Sequence, residues 1–120
     1  MTDDLDLGLD LGELEPIFNR KWQNVPIVYF AATGKFGSFN RVAERMLTSP
    51  MYSISFNSEY IVLTPVNVGG YRITPHRHGN AHMCTNNLTH RLPQLKGKRF
   101  KLYKSGERLA IKRYEPLEDV

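Results

Sequence analysis

The stretch 98–114, KRFKLYKSGERLAIKRY, decides how this chain is read. Apolar residues fall at every second position on both sides of Ser105-Gly106, the period of a half-buried strand, so the segment is expected to be a hairpin turning at those two residues. That turn sets Tyr103 opposite Arg108, Leu102 opposite Leu109, Lys101 opposite Ala110 and Phe100 opposite Ile111. One face is then dry, with Phe100, Leu102, Leu109 and Ile111. The other carries Arg99, Lys101, Tyr103, Arg108, Lys112 and Tyr114. Cations so close repel one another, an arrangement that suits an arriving anion. They would neutralise phosphates while a base or sugar stacks on tyrosine. The plainer reading is a solvated face whose lysines block edge-to-edge aggregation.

Working outward, YSISFNSEYIVL (52–63) repeats the pattern. A turn at Asn57-Ser58 would place Tyr52, Ile54, Phe56, Ile61 and Leu63 on one core face. VPIVYFAAT (25–33) reads as a buried strand with Pro26 near its start. PVNVGG (65–70) reads as a loop, YRIT (71–74) as a strand, and NNLTHRLPQLKG (86–97) as an irregular crossing. One amphipathic helix is expected at about 38–48. There Phe39, Val42, Ala43, Met46 and Leu47 form an apolar stripe, Ser38 is the N-cap, and Ser49-Pro50 is the stop. Phe18 and Trp22 share one side of a short helical turn over 16–24. The expected fold class is α+β: that helix packed on a mainly antiparallel sheet, or small barrel, of five to seven strands. Residues 16–115 form a single domain in this reading, between an acidic N-terminal tail (1–15) and an acidic C-terminal tail (116–120).

The chain has 120 residues, 41% of them hydrophobic, with one Trp, six Tyr and six Phe, which fits a folded globule. Its one cysteine excludes an internal disulfide framework and suits a reducing compartment. The acidic start MTDDLDLGLD is neither a secretory signal nor a transit peptide. The longest apolar run, VPIVYFAA, is too short to span a membrane. The expectation is a soluble, cytoplasmic protein with no membrane partner. Charge is unevenly spread. Asp3, Asp4, Asp6, Asp10, Glu13 and Glu15 crowd the start, and Glu115, Glu118 and Asp119 the end. All 16 Lys and Arg lie between, against Glu44, Glu59 and Glu107 alone. An anionic partner is the commonest reason for so basic a body.

PHRHGNAHMC (75–84) gathers three histidines with the cysteine. His76, His78, His82 and Cys84 are the ligand types of a structural zinc site. A two-residue turn at Gly79-Asn80 would split them between opposite faces, and the spacing matches no finger or knuckle pattern. The reading taken is therefore no metal and no cofactor, with Arg72, His76, Arg77 and His78 extending the basic surface. A catalytic role for the histidines in RNA cleavage would need a carboxylate partner, and few acids lie nearby. AATGKFGS (31–38) offers backbone donors between a strand and a helix for a phosphate, without P-loop spacing. YFAATGKFGSFNRVAERMLTSPMYSIS (29–55) resembles the start of the helix-turn-helix of LysR-type transcriptional regulators. The likeness covers under a quarter of the chain and ends where PMYSISFNSEY alternates like a strand, so no residue role is carried across.

The function expected is a small basic non-enzymatic binder of a phosphate-bearing partner, nucleic acid first. The ligand-binding set is Arg72, His76, Arg77, His78, Arg99, Lys101, Tyr103, Arg108, Lys112 and Tyr114. One alternative is an oligomeric protein that sequesters a nucleotide messenger, in a setting such as phage anti-defence. Another is a histidine-dependent RNA-cleaving enzyme, although the reading leans away from an enzyme. A homodimer or larger homo-oligomer would complete so small a core. The acidic N-terminal tail would meet a protein partner or compete for the basic surface.

Overall fold

In a computed structural model the chain is described over residues 24–75 and 80–117. Eight strands carry the fold. In chain order they are β1 (Ile27–Phe30), β2 (Phe36–Phe39), β3 (Met51–Phe56), β4 (Tyr60–Pro65), β5 (Tyr71–Arg72), β6 (His82–Cys84), β7 (Arg99–Ser105) and β8 (Arg108–Lys112). Two short helices, α1 (Arg41–Glu44) and α2 (Asn86–Arg91), join them, with a single 3₁₀ turn at Pro93–Leu95.

Every strand pair is antiparallel, in the order β5-β3-β4-β8-β7-β1-β2-β6. The two ends of that order then meet. Thr74, just past β5, exchanges backbone hydrogen bonds with His82 of β6 at 2.7 and 2.9 Å. The result is a nearly closed barrel dominated by sheet, with one strand more than the sequence suggested.

Alternation explains the core. Val28 and Phe30 of β1, Ile61 and Leu63 of β4, Phe100 and Leu102 of β7, and Leu109 and Ile111 of β8 all point inward and are buried. Phe30 and Phe100 meet edge to face with ring centres 5.7 Å apart, a favoured geometry for an aromatic pair. A barrel of eight strands has an interior just wide enough for side chains to fill. Tyr52 is the largest of the completely buried side chains. Its hydroxyl accepts from the amides of Thr48 (2.7 Å) and Ser49 (3.3 Å), so burying it strands no polar group.

Both expected hairpins form with their faces as read, but each register lies two residues further on. Phe56 pairs with Ile61, and Leu102 with Ile111, so the central turn residues are Ser58-Glu59 and Gly106-Glu107. A shift of two preserves which side chains share a face; a shift of one would have exchanged them. At the first turn Asn57 Oδ1 accepts from the amides of Glu59 (2.8 Å) and Tyr60 (2.7 Å), an Asx turn. At the second, Gly106 takes φ +62°, the first central position of a primed hairpin turn. Phe56, at the end of β3, is 37% exposed rather than core.

The helix expected at about 38–48 is not present as such. Phe36–Phe39 is strand β2, and only Arg41–Glu44 is helical. The cause lies in the backbone: Phe39 donates to the carbonyl of Ala81 (2.8 Å) and Asn40 to that of Ile27 (3.0 Å), so these amides are spent on the sheet. Asn40, not Ser38, caps the helix. Its Oδ1 accepts from Ala43 N (2.9 Å) and Ile27 N (3.0 Å), and its Nδ2 donates to Val25 O (2.8 Å). Ala43, Met46 and Leu47 still turn toward the core. With strands at both 36–39 and 51–56, the likeness to a helix-turn-helix is one of residues only.

Residues 86–95, expected to be irregular, instead supply α2 and the 3₁₀ turn, which bury Leu88, Leu92 and Leu95 against the barrel. This layer fixes the β1–β2 connection. Gly34, at φ +78°, is buried, and its carbonyl accepts from Thr89 Oγ1 (2.7 Å) and Thr85 Oγ1 (3.0 Å). The Gly34 amide donates to Ala31 O (2.8 Å) and the Lys35 amide to Thr33 Oγ1 (3.3 Å). A strand, not a helix, follows. The Gly34 and Lys35 donors of AATGKFGS are thus used within the turn, and the helix N-terminus that the phosphate-loop reading called on does not follow it.

The helical turn at Phe18 and Trp22 and both terminal acidic runs fall wholly or partly outside the described residues. Leu117 lies within them and donates from its amide to Arg99 O at 2.8 Å.

Candidate functional site

On the outer wall of β7, β8 and β4 the register builds a shallow groove. Ala110 of β8 pairs with Tyr103 on one side and with Val62 on the other, so the three share the outer face. Lys112 pairs with Tyr60 in the adjoining row. Val62 and Ala110 make a low apolar floor, and Tyr103 and Tyr60 stand above it. Arg108 and Lys112 mark its length, and the groove encloses about 610 Å³. Among the described residues lining it none is acidic.

The cations of this wall lie against aromatic rings. Lys101 Nζ is 5.1 Å and Lys112 Nζ 5.0 Å from the centre of the Tyr103 ring, and the Arg99 guanidinium is 5.0 Å from that of Tyr29. The ion pair at this wall is weak: Glu115 approaches Lys112 at 3.9 Å, their side chains 68% and 39% exposed, a contact worth at most about 1 kcal/mol. An exposed cation–π contact contributes roughly 0.5–1 kcal/mol. A base stacked on an aromatic side chain contributes roughly 1–3 kcal/mol. A base stacked on Tyr103 would offset the loss of its two ammonium contacts.

The expected site residues divide into three groups. Tyr103, Arg108 and Lys112 line the groove and Lys101 lies against Tyr103, with Arg99 further along β7 and Tyr114, 65% exposed, beyond the end of β8. Arg72 is exposed on β5, three strands from β8 in the sheet order, and is not brought to them. His76, Arg77 and His78 lie outside the described residues, as does Gly79 of the expected tight turn. That turn would have set Arg77 across from His82; the partner of His82 is Thr74.

His82 and Cys84 face outward together, opposite Ser38 and Phe36 of β2, and the Phe36 and His82 rings meet edge to face at 5.3 Å. Among the described residues no three His, Cys, Asp or Glu side chains converge as metal ligands. His82 also begins a transverse row. Ser38 pairs with it, Tyr29 with Ser38, and Arg99 with Tyr29. Three steps of about 4.8 Å separate the backbones of His82 and Arg99 by roughly 14 Å. That spacing suits a polar row along the barrel wall better than a pair acting on one phosphate.

Four residues escaped the sequence reading: Tyr29, Tyr60, Val62 and Ala110. Tyr60 and Val62 alternate with the core residues Ile61 and Leu63, so their outward direction was available; which strand lay beside β8 was not. A second cluster was also missed. The guanidinium groups of Arg91 and Arg113 lie 5.3 and 5.4 Å from the Phe56 ring centre, and Arg113 is 5.0 Å from that of Tyr114. Arg113 also donates to the carbonyl of Asn57, and its buried Nε lacks a hydrogen-bond partner.

Comparison with family models, curated proteins and solved structures gives no match. No helix among the described residues is long and apolar enough to cross a membrane.

Proposed function

We propose that this protein is a non-enzymatic binder of phosphate-bearing partners, nucleic acid foremost, and that the β4–β8–β7 wall is its binding face. The observation that carries the reading is the groove itself. Two tyrosines stand over a floor too small to fill it, with Lys101, Lys112 and Arg108 around them and no acid among its described lining residues. A solvated outer face needs lysines; it does not need an aromatic-walled hollow among them.

The test is a fluorescence-polarisation titration of labelled nucleic acid at low salt, parent chain against the double variant Lys101→Ala, Arg108→Ala. Affinity should fall, and the dependence of log affinity on log salt should flatten by about 0.7–0.9 per lost phosphate contact. Equal binding by the two proteins would remove the wall from consideration. The messenger-sequestering alternative would show instead as tight mononucleotide binding with little salt dependence. The RNA-cleaving alternative would show as hydrolysis abolished by His82→Ala.

A further inference from the structure

Resting on that reading, we infer that the groove takes single-stranded rather than duplex nucleic acid, with an unstacked base lying on Val62 and Ala110 between Tyr60 and Tyr103. The floor is the reason. Val62 and Ala110 are apolar and only half-buried, and neither can contact a phosphate. The outside of a duplex presents phosphates and sugars, its base faces being covered by their neighbours. Duplex binding would use the lysines and leave the floor bare. A base out of its stack covers the floor with its face or edge, meets a tyrosine ring, and leaves its phosphate within reach of Lys112 and Arg108.

The groove also has a neighbour. A second hollow of about 180 Å³ shares Tyr60 and Lys112 with it and leads on to Tyr114. Tyr103 and Tyr60 thus line the first hollow and Tyr60 and Tyr114 the one beside it, an arrangement that suits a run of successive bases better than a single nucleotide. Glu59 and Glu115 border the second hollow. They repel phosphate and fix the far end of the run.

The experiment compares the full chain binding a labelled oligodeoxythymidylate of about twelve nucleotides with its binding to a duplex of equal length. The strand is expected to bind about five- to a hundredfold more tightly than the duplex, the stacking gain of one base. Ala110→Leu fills the floor without altering any charge or tyrosine. It should remove most of the single-strand preference while duplex affinity stays within about twofold. Tyr103→Leu should do the same from the wall, and circular dichroism would confirm that both variants keep the sheet. Equal or tighter duplex binding, or a preference untouched by both variants, would overturn the inference and leave the basic face standing. Binding of neither nucleic acid would overturn both.

Discussion

The β1–β2 and β7–β8 hairpins are neighbours in the barrel, and their turns are put to opposite uses. Gly34, in the first, is buried under α2 with its carbonyl held by two threonines. Gly106, in the second, has open space where a side chain would project. The first turn spends the amides of Gly34 and Lys35 and the carbonyl of Gly34 on fixing the fold. The second protrudes at one end of a groove with no acid among its described lining residues. A positive-φ glycine in a hairpin turn thus marks a structural clamp in one case and the lip of a candidate site in the other. What separates them is the layer above: α2 covers the first, and no described element covers the second.

This contrast orders the substitutions worth making. The largest loss is expected from Leu109→Ala on the dry face of β8, roughly 2–5 kcal/mol, read as a shift in the chemical-denaturation midpoint. An unchanged midpoint would mean that the inner and outer faces of this hairpin are reversed. Gly34→Ala comes next. Its Cβ would lie 2.6 Å from Thr89 Oγ1 and 2.8 Å from Lys96 Cε, in a backbone conformation costing about 1–2 kcal/mol without any clash. A total near 3 kcal/mol is expected, and a near-neutral result would break the contrast between the turns. Asn40→Ala removes a helix cap and leaves the Ile27 amide without its acceptor, about 2 kcal/mol in the same assay. Gly106→Ala meets no neighbour, so its cost should be the strain of φ +62° alone, about 1–2 kcal/mol. Comparing thermal midpoints of the two glycine variants sharpens the point, since the excess at Gly34 measures the clamp. Lys101→Ala with Arg108→Ala, on the outer wall, should move stability by less than about 1 kcal/mol.

Inward and outward faces were legible because strand alternation survives an error of two in register. Phe100, Leu102, Leu109 and Ile111 could be assigned before the turn was correctly placed. The residues at 38–48 were misread for a related reason. Phe39 at the end of a strand and Ala43 on the helical turn after it both face the core, and together they imitate one helix face. Only the long-range bonds of residues 39 and 40 to Ala81 and Ile27 distinguish the two, and no local pattern contains them. The helix at 86–91 was hidden by Asn86, Asn87 and Pro93, which are turn-formers, though Leu88, Leu92 and Leu95 keep a helical spacing. Half of the groove was hidden too. The cations and Tyr103 sit on the hairpin that was read, while Tyr60 and Val62 come from a strand whose neighbour is set by closure of the whole sheet.

The sheet order carries a consequence for how the protein comes into being. β5, β3 and β4 form one three-stranded ribbon, β1, β2 and β6 another, and among the described strands only β7 and β8 pair with both. Apart from the two bonds between Thr74 and His82, the halves have no sheet contact until residues 99–112 arrive. On a ribosome, the first six strands of the barrel must therefore wait with an open edge on β1 and another on β4. Closure comes late, through pairings distant in sequence, which makes folding slow and the waiting chain prone to join its neighbours. The hairpin that ends the wait is the one bearing Tyr103 and its cations, so a growing chain has no such groove before its barrel is whole.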